Sequence, residues 1–294
     1  MTAADSHQRR WRYMAAELAL GRRTEVLDIG ANPLDEPVYT PLLKTGLCSV
    51  QGFEPQPDAF AKLQASKGEL ETYHPYAVGD GNTANFNIYG QSGLSSVFEL
   101  DMESIEFLGR SKRAARLLDK FEVKTHRLDD IPELRHPDLL KIDVQGAEVM
   151  ICESGPTLLK DVMAVVTELR YYPLYRDEQL LDGQVSALGR LGLIYHKALF
   201  TKGKMIANSC QDRLRTRALR SQAIDGDVVF VRDLRKPDRI KSSSIGHLAL
   251  LADAVFQSYD LVIHCLDILV ERGELNAKFP EQYFEILPAE VRKS

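Results

Sequence analysis

Hydrophobic positions along the chain fall into short strand-length runs that alternate with stretches spaced like one face of a helix, the mark of a β-α-β succession. Val26, Leu27 and Ile29 form a first run that is apolar on both sides, as suits a strand between two helical layers. A short helix from Glu36, a strand from Cys48 to Glu54, and a helix over Asp58 to Leu63 opened by Pro57 follow. Tyr73 to Val78 reads as a third parallel strand ending in Gly79-Asp80-Gly81, and Ala84 to Tyr89 alternates as an additional strand leaving into Gly93-Leu-Ser-Ser-Val97. A charged helix is predicted over Met102 to Leu118, then a strand around Glu122 to Leu128. Leu139 to Asp143 is the next core strand, turned by Val144-Gln-Gly-Ala-Glu148 into a helix running toward Cys152. Ala164 to Leu169 is a fifth core strand, and Glu178 to Leu191 a helix closed by Gly192. Leu193 to Phe200 and Asp227 to Arg232 form an antiparallel pair around a long excursion.

Outside this region the spacing is helical. Met14 to Leu20 belongs to an amphipathic leader helix ended by Gly21, and from Ser242 the apolar positions Leu248, Leu251, Val255, Leu261, Leu266 and Leu269 recur at helical intervals. The predicted organisation is an N-terminal helix (1–22), an α/β domain (23–235) and a C-terminal helical extension (236–294). The fold class is α/β and Rossmann-like, with a mostly parallel seven-stranded sheet and helices on both faces. The extension can fold back on the sheet, make a homo-oligomer contact or cover an acceptor site. In open sheets of this kind the ligand crevice lies outside the strand carboxyl ends, where Gly30, Glu54, Asp80, Asp143 and Glu168 converge.

Composition narrows the function classes. A chain of 294 residues that is 44% hydrophobic can bury a full α/β core and an added helical region. Its net charge of −5 argues against a polyanionic partner, so nucleic acid is not expected. Arg213, Arg215, Arg217 and Arg220 form the one dense basic cluster, either a solvated face or an anion-binding surface. Cys48, Cys152, Cys210 and Cys265 include no Cys-x-x-Cys pair, which indicates neither a zinc site nor a disulfide framework and fits a reducing cytoplasm. His74, His126 and His196 lack triad or metal spacing, and no metal is expected. The N-terminus has no secretory cleavage pattern, and the longest apolar run, Leu261 to Val270, is too short to span a bilayer.

The densest chemistry lies in Thr24-Glu-Val-Leu-Asp-Ile-Gly-Ala-Asn32 and Gly52-Phe-Glu-Pro55. Gly30 permits a tight turn beneath a ligand, with Asp28 and Asn32 on either side, and Glu54 at the tip of the neighbouring strand can accept both hydroxyls of a ribose. A nicotinamide dinucleotide would want Gly-x-Gly-x-x-Gly at this turn, whereas here one glycine is followed by the acids Asp35 and Glu36. Those acids repel a pyrophosphate but tolerate the ammonium and sulfonium of S-adenosyl-L-methionine. The alternative is a buried strand whose Asp28 merely caps a turn. Lys141 and Asp143 alternate on one strand and are expected to pair, keeping Asp143 ionised. Glu168 stands near Arg170, Tyr171 and Tyr172, in a surface network or lining an acceptor pocket. Ser95 and Ser96 can donate to an acceptor or to the cofactor carboxylate, and Asp80 can accept from an adenine amino group.

Together with Ala77-Val-Gly-Asp80, Ser92-Gly-Leu-Ser-Ser96, Leu128-Asp-Asp-Ile131 and Leu140-Lys-Ile-Asp-Val-Gln-Gly-Ala-Glu148, these segments resemble the FkbM family of S-adenosylmethionine-dependent methyltransferases over residues 24 to 232. The resemblance implies a class I methyltransferase fold, S-adenosyl-L-methionine as cofactor, and O-methylation of a small-molecule or glycan acceptor. The candidate cofactor contacts are Asp28, Gly30, Asn32, Glu54, Asp80, Ser95, Ser96 and Lys141, and Asp143 and Glu168 at the strand tips are the candidate general bases. The chain departs from the family where Pro33-Leu34-Asp35-Glu36-Pro37 replaces a glycine-containing loop, and its C-terminal helices lie outside the match. Two other readings are a non-catalytic binding or assembly module on the same fold and an RNA methyltransferase using the arginines near 213–220.

Overall fold

A computed structural model describes residues 3–33 and 36–293, so Asp35 of the first loop lies outside the described residues. Helix α1 (Ala3–Glu17) leads into β1 (Thr24–Ile29), α2 (Thr40–Lys44), β2 (Cys48–Phe53), α3 (Pro57–Ser66) and β3 (Glu71–His74). Next come β4 (Ala77–Val78), β5 (Thr83–Tyr89), α4 (Met102–Phe107), β6 (Leu117–His126), β7 (Leu139–Ile142), α5 (Glu148–Ser154) and β8 (Ala164–Arg170). The chain continues through α6 (Leu181–Arg190), β9 (Leu193–Ala198), β10 (Lys202–Lys204) and β11 (Gln222–Arg232), then α7 (Ser242–Ala254), α8 (Tyr259–Glu271) and α9 (Phe279–Glu285).

The main sheet runs β3-β2-β1-β7-β8-β11, and β9 and β10 share the place beyond β11. Strands β1, β2, β3, β7 and β8 are parallel, whereas β11 is antiparallel to all of its neighbours. Seven positions across the sheet are thus filled by eight strands, because β9 pairs with Val228–Arg232 and β10 with Gln222–Asp225. This is a Rossmann-like α/β fold with a mostly parallel sheet.

Two sequence expectations need correction. The third strand is split at Pro75, which has no N–H for a ladder: β3 joins the main sheet, but β4 pairs with β6 in a separate three-stranded sheet, β4-β6-β5. The charged helix expected over Met102 to Leu118 stops at Phe107. Gly109 follows at φ +56°, a left-handed conformation that ends a helix, and from Leu117 the chain is instead the antiparallel partner of β5.

Alternation along the strands divides the core into two layers. Val26, Val50, Leu139, Val166 and Val229 face Trp11 and Met14 of α1 together with α7, α8 and α9. Leu27, Ile29, Leu140, Ile142 and Phe230 face Ile151 of α5 and Leu188 of α6. The C-terminal helices therefore fold back on the sheet, and Ile245 to Ala254 of α7 are buried without a break. One polar cluster ties this layer together: Asp253 accepts from Arg10 Nε and Nη2, Trp11 Nε1 and Tyr283 Oη, all at 2.7 Å. Arg10 and Asp253 are both buried, and the paired guanidinium bonds match the carboxylate geometry that such burial requires. Among the described residues no helix is long and apolar enough to cross a membrane.

Candidate active site

The carboxyl ends of β1, β2, β7 and β8 and the middle of β11 open onto a cavity of about 740 Å³, well within the range of small-molecule sites. Asp28, Gly30, Asn32, Glu54, Ser95, Lys141, Asp143 and Glu168 all line it. Gly30 has φ +83°, and a Cβ there would stand 2.1 Å from the Asp143 carbonyl oxygen. The cause is close apposition of β1 and β7, since Asp143 N donates to the Ile29 carbonyl at 3.1 Å. The amides of Gly30 and Ala31 both donate to the Phe53 carbonyl, which locks the turn to β2 and brings Glu54 alongside it.

Asp28 lies directly opposite Lys141 in the β1–β7 register, and their ion pair is 3.2 Å long. The expected Lys141–Asp143 pair is not among the ion pairs of the described residues: the lysine bonds across the ladder, because its register neighbour is nearer than the residue two places along. Burial disfavours the Lys141 ammonium, but Asp28 and Asp143 outweigh it and its pKa is raised. Tyr39 donates to the other Asp28 oxygen at 2.5 Å, and burial together with that carboxylate pushes the phenol far up, fixing it as the donor. Glu54 is buried and accepts from Gln56 N at 2.8 Å. Burial raises its carboxyl to about 7, with Asp28 adding to the effect and the Gln56 amide and Lys141 opposing it.

The structure does not bring Asp80 or Ser96 to the cavity lining. Asp80 is exposed and accepts from Asn82 N and Nδ2 at 2.9 and 2.8 Å, closing the turn before β5. Those bonds hold its carboxyl below the usual range. Ser96 is buried behind the wall, donating to the Gln145 carbonyl at 2.7 Å and accepting from Phe98 N at 3.0 Å. Ser95 reaches the lining and accepts from Tyr89 N at 3.3 Å.

A residue not singled out from the sequence organises the far side. Gln145 adopts φ +59° and its Nε2 donates to Asp143 Oδ1 and Glu168 Oε2, each at 2.9 Å. Its Oε1 accepts from Tyr175 Oη at 3.2 Å and Arg170 Nη2 at 3.4 Å. One amide therefore sets the spacing of both candidate bases. Glu168 also takes Arg170 Nη2 at 2.6 Å, and this buried arginine pairs with Glu178 and Asp225 at 3.2 Å. Glu168 thus belongs to a buried network and lines the cavity as well. Burial raises its pKa against the opposing pull of Arg170.

Two further residues complete this wall. Asp227 faces Glu168 across β11 and β8, and burial, aided by Asp143, raises it to about 6 while Lys202 and Lys141 oppose. Lys202 pairs with Asp225 at 3.1 Å and Glu168 at 3.6 Å. Asp227 was within reach of sequence reasoning: it opens the antiparallel strand expected over Asp227 to Arg232, and the register sets it beside Glu168 near the carboxyl end of β8. Gln145 lay inside a quoted motif, but only its left-handed backbone reveals that its side chain turns back onto the strand tips. Among the described residues, no cluster of three or more His, Cys, Asp or Glu side chains is placed to hold a metal ion.

The sequence profile described as the methyltransferase FkbM domain matches residues 28–197, more than half of the chain. No curated protein matches it. Among solved structures, precorrin-6y C5,15-methyltransferase from Geobacter metallireducens aligns at 11% identity and TM-score 0.36, covering 75% of this chain and 89% of that one. A 1,6-didemethyltoxoflavin-N1-methyltransferase from Burkholderia thailandensis, solved with S-adenosylhomocysteine, aligns at 12% identity and TM-score 0.36 over 79% and 80% of the two chains. A putative tRNA (m1A22) methyltransferase from Streptococcus pneumoniae, in complex with S-adenosyl-L-methionine, aligns at 14% identity and TM-score 0.34 over 95% and 99%.

Proposed function

The chain belongs to the FkbM methyltransferase family and is an S-adenosyl-L-methionine-dependent methyltransferase, and from that premise we propose that it methylates a hydroxyl of a sugar or related small metabolite. The residues of the cavity fit the cofactor. Glu54 uses Oε1 for the Gln56 amide and leaves Oε2 for ribose hydroxyls, and Gly30 keeps the floor of the cavity free of a side chain. Asn32 and Ser95, both on the lining, supply polar groups for the methionyl end. When bound, the cofactor supplies an electrophilic methyl group that an acceptor oxygen can attack in line.

The chain's part is to bind, orient and deprotonate. A sugar hydroxyl is a weak nucleophile, so a carboxylate that accepts its proton as the new bond forms contributes to rate. Gln145 holds Asp143 by Oδ1 and leaves Oδ2 without a protein partner among the described residues, which makes Asp143 the proton acceptor in this proposal. Glu168, braced by Arg170 and Gln145, orients a second hydroxyl of the acceptor, and Asp227 sustains negative charge on the same wall. Phe86, Tyr76 and Phe200 supply apolar lining that limits water near the reacting atoms.

The observation that carries the proposal is the single amide joining Asp143 and Glu168 beside a cradle fitted to a ribose. Incubation with isotopically methyl-labelled cofactor and a panel of glycosides and polyols, followed by NMR of the products, tests it. An oxygen-linked methyl on a glycoside is expected; turnover confined to nitrogen acceptors would overturn it.

A further inference from the structure

Strand β11 carries two aspartates on one face, two residues apart, in opposite surroundings. Asp225 stands in register between Arg170 of β8 and Lys202 of β10 and pairs with them at 3.2 and 3.1 Å. Asp227 stands in register with Glu168 of β8 on one side, and on the other with the stretch Ala198 to Phe200, which carries no cation. Like charges set directly opposite on neighbouring strands are destabilising. Asp227 and Glu168 both line the cavity of the candidate active site, as does Asp143, which Gln145 Nε2 joins to Glu168.

Among the described side chains, Asp227 is the one carboxylate that is not exposed and yet has neither a hydrogen bond nor an ion pair. Other buried acids are bonded, Asp28 to Tyr39 and Lys141, Glu54 to the Gln56 amide, Asp253 to Arg10. Lys141 and Lys202 act on Asp227 through space, but Lys141 is paired with Asp28, and Lys202 with Asp225 and Glu168. Arg170, and Arg110 at longer range, serve Glu168 and Asp225. No cation on this wall is therefore left to pair with Asp227 or with the second oxygen of Asp143. Burial and the Asp143 charge raise the pKa of both Glu168 and Asp227, against the pull of Arg170 and Lys202.

We propose that this wall binds a protonated amine of the acceptor, so that the substrate class is an amino sugar or a related hydroxylated amine, with Asp227 as the residue that selects it. An ammonium carries three donors on one centre, so it can bond Asp227 and still reach a neighbouring carboxylate. Among the described residues these acids are not gathered closely enough to hold a metal ion. The inference rests on the reading of the same cavity as the methyl-transfer site and narrows it: Asp143 and Glu168 keep their hydroxyls, while Asp227 takes the ammonium.

The test is calorimetry at neutral pH on protein saturated with S-adenosylhomocysteine, using glucosamine as the probe and glucose, N-acetylglucosamine and glucuronate as controls. Saturation gives the cofactor product's own ammonium its place before the sugar is added. Glucosamine is expected to bind at least tenfold more tightly than either neutral sugar, and glucuronate most weakly of the four. Asp227→Asn gives up no bond and relieves a like-charge contact, so the variant is expected to fold. It should keep its S-adenosylhomocysteine affinity within twofold and narrow the preference for glucosamine to under threefold. The comparison of sugars on the parent protein stands whether or not the variant folds. Equal binding of glucosamine and glucose, or a preference unchanged in Asp227→Asn, overturns the inference and leaves the methyl-transfer reading standing. Loss of S-adenosylhomocysteine affinity in Asp227→Asn also overturns it, because the cation held there would then be the cofactor's own. Failure of the parent protein to bind S-adenosylhomocysteine at all would bring down the methyl-transfer reading and this inference with it.

Discussion

Replacing Gln145 by Met isolates the amide from the space it fills. Met has nearly the same length and flexibility but cannot donate, so Asp143 Oδ1 and Glu168 Oε2 each lose a 2.9 Å bond. The two losses are unequal. Glu168 Oε2 keeps Arg170 Nη2 at 2.6 Å, whereas Asp143 Oδ1 loses its protein partner. Tyr175 Oη still reaches the Leu94 carbonyl at 3.1 Å, so no buried donor is orphaned. A hydrogen bond to a charged group contributes about 1.5–3 kcal/mol, and with about 1.4 kcal/mol per decade of rate kcat is expected to fall roughly 10- to 100-fold. KM for S-adenosyl-L-methionine is expected to stay within about threefold, because Glu54 and Gly30 lie on other strands. Gln145→Glu sharpens the test. A third carboxylate 2.9 Å from two others disfavours negative charge on that wall, so the acid limb of the pH–rate profile moves to higher pH. Steady-state kinetics across pH on variants shown by circular dichroism to be folded provide the measurement. A Gln145→Met enzyme with kcat within twofold of the parent, or a Gln145→Glu profile that does not move, would refute the assignment of Gln145 as a positioning residue.

Three further outcomes are expected. Gly30→Ala combines a left-handed φ with overlap of the Asp143 carbonyl, and urea titration should show a loss of at least about 3 kcal/mol, the left-handed conformation alone accounting for about 1–2; a loss under 1 kcal/mol would contradict the close approach of β1 and β7. Glu54 has its folded pKa raised from 4.5 to about 7, so its contribution to stability is full below pH 4.5 and is lost as pH rises through 7. The Tm of the parent should therefore decline relative to Glu54→Gln across that window, and parallel Tm–pH curves would disprove the burial effect. Asp253→Ala leaves Arg10 buried and unpaired and should cost about 3–5 kcal/mol by chemical denaturation, with Asp253→Asn less severe; the folded fraction should bind S-adenosylhomocysteine normally, since the cluster lies on the face of the sheet away from α5.

The parallel core was legible in the sequence because Val26 to Ile29, Leu139 to Ile142 and Ala164 to Leu169 are apolar on both faces, a pattern only a doubly covered strand needs. The strand tips followed from it, and eight of the ten expected site residues stand around one cavity. What failed was partner choice. Alternation tells which face Lys141 occupies but not which residue the adjacent strand sets opposite it, so Asp28 went unrecognised as its partner. Met102 to Leu118 carries charges and leucines in proportions that suit a helix, and only pairing with β5 makes Leu117 onward a strand. Asp80 sits in the turn Gly79-Asp80-Gly81, and local bonding to Asn82 claims its carboxylate before a ligand can.

The Asp253 cluster also bears on the order in which the molecule can take shape. Arg10 and Trp11 leave the ribosome more than two hundred residues ahead of the oxygens they seek, and Tyr283 follows later still. During synthesis the leading helix has no counterion to dock against, so its guanidinium stays in water and one side of the sheet stays bare. Closure of that side waits for the synthesis of α9, and protease sensitivity of stalled nascent chains should vanish only after α9 has emerged.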